Sequence, residues 1–202
     1  MKVVAIGANG VIGKAVVDNL QQQHEVISVG YSQGEFRVDI EDKQSIERLF
    51  EQVGKVDAII SMAGNGEMGT LQQTDDAGYQ TVLNNKVMGQ VNVARVGLNY
   101  LNHGGSITLT SGAAADHPMP GVVAISMGTA AVNAFVRSAA LDMTNEQRLN
   151  AVSPSMVKET MESWGMDSST GIAAKDVASY YAAAVSKDLN GQVLQAQGGS
   201  YQ

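Results

Sequence analysis

The sequence predicts a doubly wound, parallel α/β sheet of three α/β/α layers, in a single domain spanning residues 1–202. Three observations carry that prediction. Short apolar runs alternate with helical segments, a glycine-punctuated turn joins the first run to the first helix, and no composition break, repeat or low-complexity stretch divides the chain. Helices of ten residues or more leave room for right-handed crossovers between parallel strands, which covers both faces of the sheet.

In chain order, Lys2 to Ile6 reads as a strand, Gly7 to Gly13 as a turn, and Lys14 to Gln23 as an amphipathic helix. Glu25 to Gly30 is a second strand, Lys43 to Val53 a helix and Val56 to Met62 a strand. Asp75 to Tyr100 reads as one long helix interrupted only by single glycines, followed by a strand at Ser106 to Thr110. An alanine-rich helix from Val122 to Thr144 precedes a strand at Arg148 to Val152, helices at Val157 to Trp164 and Asp176 to Ser186, and a last strand at Gln192 to Gln195. In sheets of this kind the ligand lies beyond the carboxyl ends of the strands. The turn from Gly7 to Gly13, Ala63, Gly64, Ser111 and Pro154 are therefore expected to converge on one cleft.

The first turn carries the clearest chemistry. Gly7, Gly10 and Gly13 lie between a strand and a helix, where glycines let the backbone approach a pyrophosphate and the free N–H groups of the helix end attract its charge. The expected contacts at this turn are Gly7, Asn9, Gly10, Val11, Ile12 and Gly13. The plainer alternative is a tight strand-to-helix turn that binds nothing.

Composition narrows the function classes. With 44% hydrophobic and 16% charged residues the chain can bury a substantial core. It has no cysteine, hence no disulfide or thiolate metal site, and His24, His103 and His117 show no metal-ligand spacing, so no metal is expected. A formal net charge of −7 with no basic run opposes nucleic-acid binding. No apolar stretch reads as a membrane span of ~18 residues or as a signal peptide, so no membrane association and a cytoplasmic location are expected.

Nearly end to end, the residues resemble the short-chain dehydrogenase/reductase family. The matching segments are the glycine turn, Ser61-Met62-Ala63-Gly64, Gly105 to Gly112 around a serine, Asn150-Ala151-Val152-Ser153-Pro154, and Gly191-Gln192-Val193-Leu194 with Gly198-Gly199. The resemblance implies a Rossmann-like, NAD(P)-binding oxidoreductase that transfers hydride to or from a carbonyl or alcohol, with Ser111 as the surviving catalytic residue. It also implies cofactor contacts from Ala63, Gly64, Pro154 and Val157. The glycine spacing departs from the family's commoner form. So does the alanine-rich helix, where aligning Val132 to Asp142 puts Ile125 and Thr129 at the family's catalytic tyrosine and lysine. In the family the tyrosine transfers the proton and the lysine holds the nicotinamide ribose and depresses the tyrosine pKa. A group of short, atypical members also lacks the pair.

Lys86 falls on one helical stripe with Tyr79, Val82, Gly89, Val93 and Val96, which is the face a helix buries. Relative to Gly89 it stands where the family carries an asparagine. The functional reading is an ammonium transferred from the neighbouring helix to the nicotinamide ribose, and the plainer one is an apolar stem with its head group in water. His117 is a candidate replacement acid, and the ten methionines suit core gaps and an apolar substrate cavity. At the end of the second strand, Tyr31 and Ser32 replace the acidic residue that would read a ribose 2′-hydroxyl, and with Arg37 nearby they favour NADP, with NAD as the alternative. Asp39 resembles the family's adenine-contacting aspartate, or else caps the next helix. A small-molecule carbonyl substrate and a homodimer or homotetramer built on the two long helices complete the expectation. The alternative is a catalytically silent NADP(H)-binding sensor or scaffold.

Overall fold

The computed structural model describes residues 1–202. Seven strands form one sheet: β1 (Lys2–Ile6), β2 (Glu25–Gly30), β3 (Phe36–Arg37), β4 (Val56–Ser61), β5 (Leu101–Thr110), β6 (Arg148–Pro154) and β7 (Val193–Ala196). Every pairing is parallel, in the order β3-β2-β1-β4-β5-β6-β7. The chain builds outward from β1 to β3, then returns to the other side of β1 and builds to β7. The reversal opens a crevice between the carboxyl ends of β1 and β4.

Alternation along the strands sorts the core into two layers. Val3, Ala58 and Ile60 point toward α1 (Val11–Leu20) and α7 (Ala174–Ser186), where Val16, Leu20, Val177 and Tyr181 meet them. Val4, Ile6, Ile59, Ile107 and Leu109 point the other way, toward Ile46, Leu49 and Phe50 of α2 (Lys43–Val53), Val93 of α4 (Gln90–Gly97), and Val132 and Val136 of α5 (Val123–Ala139). Burying each such side chain stabilises the fold by roughly 1.5–3 kcal/mol. The short helix α6 (Lys158–Ser163) lies beyond β6.

Several elements depart from expectation for physical reasons. β3 is a two-residue edge strand, too short to leave a periodicity in the sequence. β5 begins at Leu101, because a register shift between Val56 and Ala58 absorbs the Gly104-Gly105 segment that reads as a turn. The long helix is three segments, α3 (Asp76–Thr81), a π-helical stretch Val82–Gly89, and α4, closed by a 3₁₀ turn at Leu98–Tyr100. The expectation of no membrane-length apolar helix is also corrected. By length and composition the run Val123–Asp142 qualifies, yet α5 seats Val132 and Val136 in the core beneath the sheet.

Candidate cofactor and catalytic site

A cleft of about 600 Å³ opens at the carboxyl ends of β1, β2 and β4, which is where the topology reverses. Its floor is the glycine turn. Gly7 has φ +85°, and a Cβ there would lie 2.7 Å from the Ala63 nitrogen, so both conformation and close approach require glycine. A Cβ on Gly13 would collide with the Gly7 carbonyl, which makes Gly13 a packing glycine that lets α1 sit against the turn. At Gly10, by contrast, a Cβ would meet only the Gly7 oxygen at 3.5 Å. That space is open to the cleft. Gly10 is also the N-cap of α1 and supplies no side-chain cap, so the first N–H groups of the helix are left for a ligand.

The remaining turn residues divide. Asn9 Nδ2 donates to the Gln33 carbonyl at 2.8 Å, tying the turn to the loop after β2. Val11 is exposed and Ile12 packs toward the α1/α7 layer, so neither side chain lines the cleft, and only their backbone N–H groups are at the helix end. At the far end Tyr31 and Ser32 line the wall, Tyr31 being 78% exposed. Arg37, expected as a nearby cation, is exposed on edge strand β3 and does not line the cleft. Asp39 does line it, while its Oδ1 accepts from the Glu41 N–H at 3.0 Å. That bond closes the turn before α2 and does not cap the helix, whose N-cap is Asp42, accepting from the Gln44 N–H, so the capping reading of Asp39 is corrected.

Sequence reasoning missed the mouth of this cleft. Asn85 accepts from the Asn65 N–H at 2.6 Å and donates to Glu41 Oε1 at 2.7 Å, joining the loop after β4, the π-helical stretch and the loop before α2. Single polar residues in three separate segments leave no local signal.

Ala63 and Gly64 line the same cleft, and Lys86 packs behind Gly64 without itself lining it. A Cβ on Gly64 would lie 2.9 Å from Lys86 Cδ and 3.6 Å from its Nζ. On the other side the Lys86 stem passes Gly128 of α5, and its Nζ donates to the Ser111 carbonyl at 3.1 Å. Desolvation pulls the Lys86 pKa down to about 8.

The end of β5 is held from both faces. Fully buried Gln90 donates through Nε2 to the Thr110 carbonyl and accepts from the Thr110 N–H at 2.8 Å. From the opposite layer the Tyr181 phenol meets Thr110 Oγ1 at 2.6 Å, and that hydroxyl donates to the Ser61 carbonyl at 2.6 Å. Burial raises the Tyr181 pKa far above its ordinary value. Ser111 is 3% exposed, and the hydroxyl expected to meet a substrate donates to the Thr129 carbonyl of α5 at 3.0 Å.

The substituted pair offers no acid. Ile125 lies against Gly66, and the buried Thr129 hydroxyl donates back into its own helix, to Ile125 or Ser126. His117 is exposed beyond the 3₁₀ turn after β5. Pro154 ends β6, while Val157 is 6% exposed in the α1/α7 core and bridges Ile172, so neither lines the cleft. Val157 was expected as a cofactor contact, and its side chain is spent on packing.

Comparison with known proteins agrees with this fold. A family model described as enoyl-(acyl carrier protein) reductase matches residues 2–199. The chain belongs to the short-chain dehydrogenase/reductase family. Among solved structures of this fold it is similar to the protein lin1944 from Listeria innocua, with a TM-score of 0.93 and 34% identity over 96% of this chain and 98% of that one. It is also similar to a small-chain dehydrogenase solved in complex with NADPH, with a TM-score of 0.87 and 26% identity over 98% and 97% of the two chains. Among curated short-chain dehydrogenases/reductases it is 27% identical over 139 residues to hydroxynaphthalene reductase arp2 of Aspergillus fumigatus, covering 66% of this chain and 51% of that protein. It is 28% identical over 163 residues to versicolorin reductase 1 of Dothistroma septosporum, covering 77% and 62%. The chain therefore spans between half and two thirds of the length of these curated relatives.

Proposed function

We propose that this chain binds NADPH and reduces a small-molecule carbonyl compound. The observation that carries the reading is the open cradle at Gly10, where backbone N–H groups of α1 face a cleft at the sheet's topological switch point. The residues present fit a dinucleotide. In this reading Gly7, Gly10 and Gly13 with the N–H groups of Val11 and Ile12 hold the pyrophosphate, Tyr31 and Ser32 meet the adenosine ribose end, and Asp39 meets the adenine. Asn9 orients the turn, Ala63 and Gly64 flank the nicotinamide half with Pro154 at the β6 end, and Lys86 reaches the nicotinamide ribose across Gly64. The nicotinamide, when bound, supplies hydride chemistry. Ser111 contributes its carbonyl to Lys86, and its hydroxyl braces α5.

The hydroxyl-rich end formed by Tyr31 and Ser32, without a strand-end carboxylate, favours NADP over NAD, and the NADPH complex of the similar small-chain dehydrogenase supports that choice. Names of the curated relatives, reductases among them, favour an enzyme over a silent sensor. The assembly in this reading is a homodimer or homotetramer joined through the α3–α4 and α5 helices, which expose Met88, Leu98 and Met127, and light scattering checks it. A cysteine-free chain suits the cytoplasm equally well. The test is a titration with NADPH and NADH followed by turnover of aldehydes, ketones and quinones. NADPH binding with turnover in at least one class is expected, and absence of both would remove the proposal.

A further inference from the structure

The reductase reading leaves the source of the proton open, because Ile125 carries none to give and the Thr129 hydroxyl is turned into its own helix. Tyr31, Asp39 and Glu41 line the far end of the cleft, after β2 and before α2, and the remaining ionisable groups near the strand ends are placed elsewhere. Tyr181 is wholly buried in the α1/α7 layer, on the far side of the sheet, with its phenol held by Thr110. His117 is exposed on the loop after β5. Tyr79 lies seven residues before Lys86, about 10 Å up the same helix.

Lys86 differs from all of these in position. Its Nζ uses one proton on the Ser111 carbonyl, so two N–H bonds remain, and the neighbour on the cleft side is Gly64, which has no side chain to intervene. Gly64, Gly128 and the Ser111 carbonyl beside it are uncharged, and desolvation is the one cause of its lowered pKa. The carbonyl that fixes the ammonium is itself fixed, since Gln90 clamps the adjoining Thr110 backbone and Tyr181 its hydroxyl.

We propose that Lys86 is the catalytic acid, passing a proton from Nζ to the substrate's carbonyl oxygen. The assignment rests on the reductase reading above. The substrate carbon gains hydride from a reduced nicotinamide, which is oxidised, while the carbonyl π bond breaks toward oxygen. That oxygen forms its O–H bond as a Lys86 N–H bond breaks. Lys86 is left as a neutral amine and regains its proton from water. A lysine whose pKa lies about 8 can do this near neutrality, where an ordinary lysine is a weak acid.

Lys86→Arg separates the acid from a mere cation, because guanidinium keeps the charge and does not deprotonate. Expected are an NADPH Kd within about threefold of wild type and a kcat lowered about 100-fold or more, the low end of what a general acid contributes. In the wild-type protein, kcat should fall as pH rises through the midpoint at which the Lys86 Nζ signal titrates by NMR, measured both without cofactor and with NADPH. The NMR and pH comparison needs no variant, so it stands if arginine disturbs packing against Gly64 and Gly128. Retention of more than a tenth of kcat in Lys86→Arg, or a pH limb that does not track the Lys86 titration with NADPH bound, overturns the assignment and leaves the reductase reading intact. Wild-type protein that binds NADPH and reduces no carbonyl removes both.

Discussion

Lys86→Met should make this protein more stable at pH 7, and the gain should vanish in alkali. Burial pulls the Lys86 pKa from 10.5 to about 8, so the folded state disfavours the charged lysine by about 3 kcal/mol relative to the unfolded chain, at 1.36 kcal/mol per unit. The sign follows from proton counts. Between the two pKa values the unfolded state binds more protons than the folded one, so wild-type stability rises with pH from about 8 to 10.5. Below pH 8 the full penalty is present. Methionine keeps most of the stem and carries no charge, and it forfeits the bond to the Ser111 carbonyl, about 1 kcal/mol. A net gain of about 2 kcal/mol remains at pH 7, or roughly 4–8 °C in Tm for a chain of this size. Urea melts of both proteins at pH 7 and pH 10 make the comparison, and by pH 10 the lysine penalty should have shrunk to about 1 kcal/mol. Equal stabilities at pH 7, or a difference that does not change with pH, would show that the lysine is not desolvated in the folded state.

Two glycines in one turn should respond differently. Gly13→Ala forces a backbone shift against Gly7 and should cost about 1–3 kcal/mol in denaturant melts, whereas Gly10→Ala should melt like wild type and still weaken NADPH binding in a titration. Tyr31→Asp should weaken NADPH about tenfold through repulsion of its 2′-phosphate and change NADH less than threefold, in parallel fluorescence titrations; equal losses would place Tyr31 away from the ribose. Ser111→Ala removes a bond to the Thr129 carbonyl, so a loss of about 1 kcal/mol in stability is expected with NADPH affinity and turnover within a few-fold of wild type. Abolished turnover there would mean that the hydroxyl leaves α5 when substrate binds.

The glycine turn and the order of elements were legible because both are local. A strand, an open turn and a helix follow one another within the first 20 residues, and Lys43–Val53 carries its own N-cap in Asp42. The buried stripe of Val82, Gly89, Val93 and Val96 was readable for the same reason. What escaped is set by tertiary contact. Nothing in Val82–Gly89 announces a π-helical stretch, and Gln90, beside Gly89, shows its meaning only when Thr110 stands opposite. Ser111 was recognisable as a residue at the strand end, but the direction of its hydroxyl depends on α5, whose approach no local pattern records. The Arg37 side chain is exposed and that of Val157 packs in the core, because nearness in sequence to a strand end does not say which side chain turns toward the cleft.

Gln90 explains how the crevice beside Lys86 stays open. The last paired residues of β4 and β5 are Ile60 and Thr108, after which β4 leaves the ladder. Thr108 and Thr110 present their backbone groups to the same side, so the Thr110 N–H and carbonyl face the place that β4 has vacated. Left alone, each would be a buried orphan costing about 1–3 kcal/mol. The Gln90 carboxamide, one acceptor and one donor in a single plane, answers both, doing with a side chain what the next residue of a strand would have done. Because β4 is not needed there, the chain after Ser61 is free to turn through Ala63 and Gly64 along the cleft, and the gap it leaves is where Lys86 reaches the Ser111 carbonyl. Lys86, in the π-helical stretch, and Gln90, the first residue of α4, are four residues apart and bind Ser111, just past β5, and Thr110, its last residue. The ammonium and the amide that maintains its opening are thus carried on either side of the junction between the π-helical stretch and α4, one turn apart.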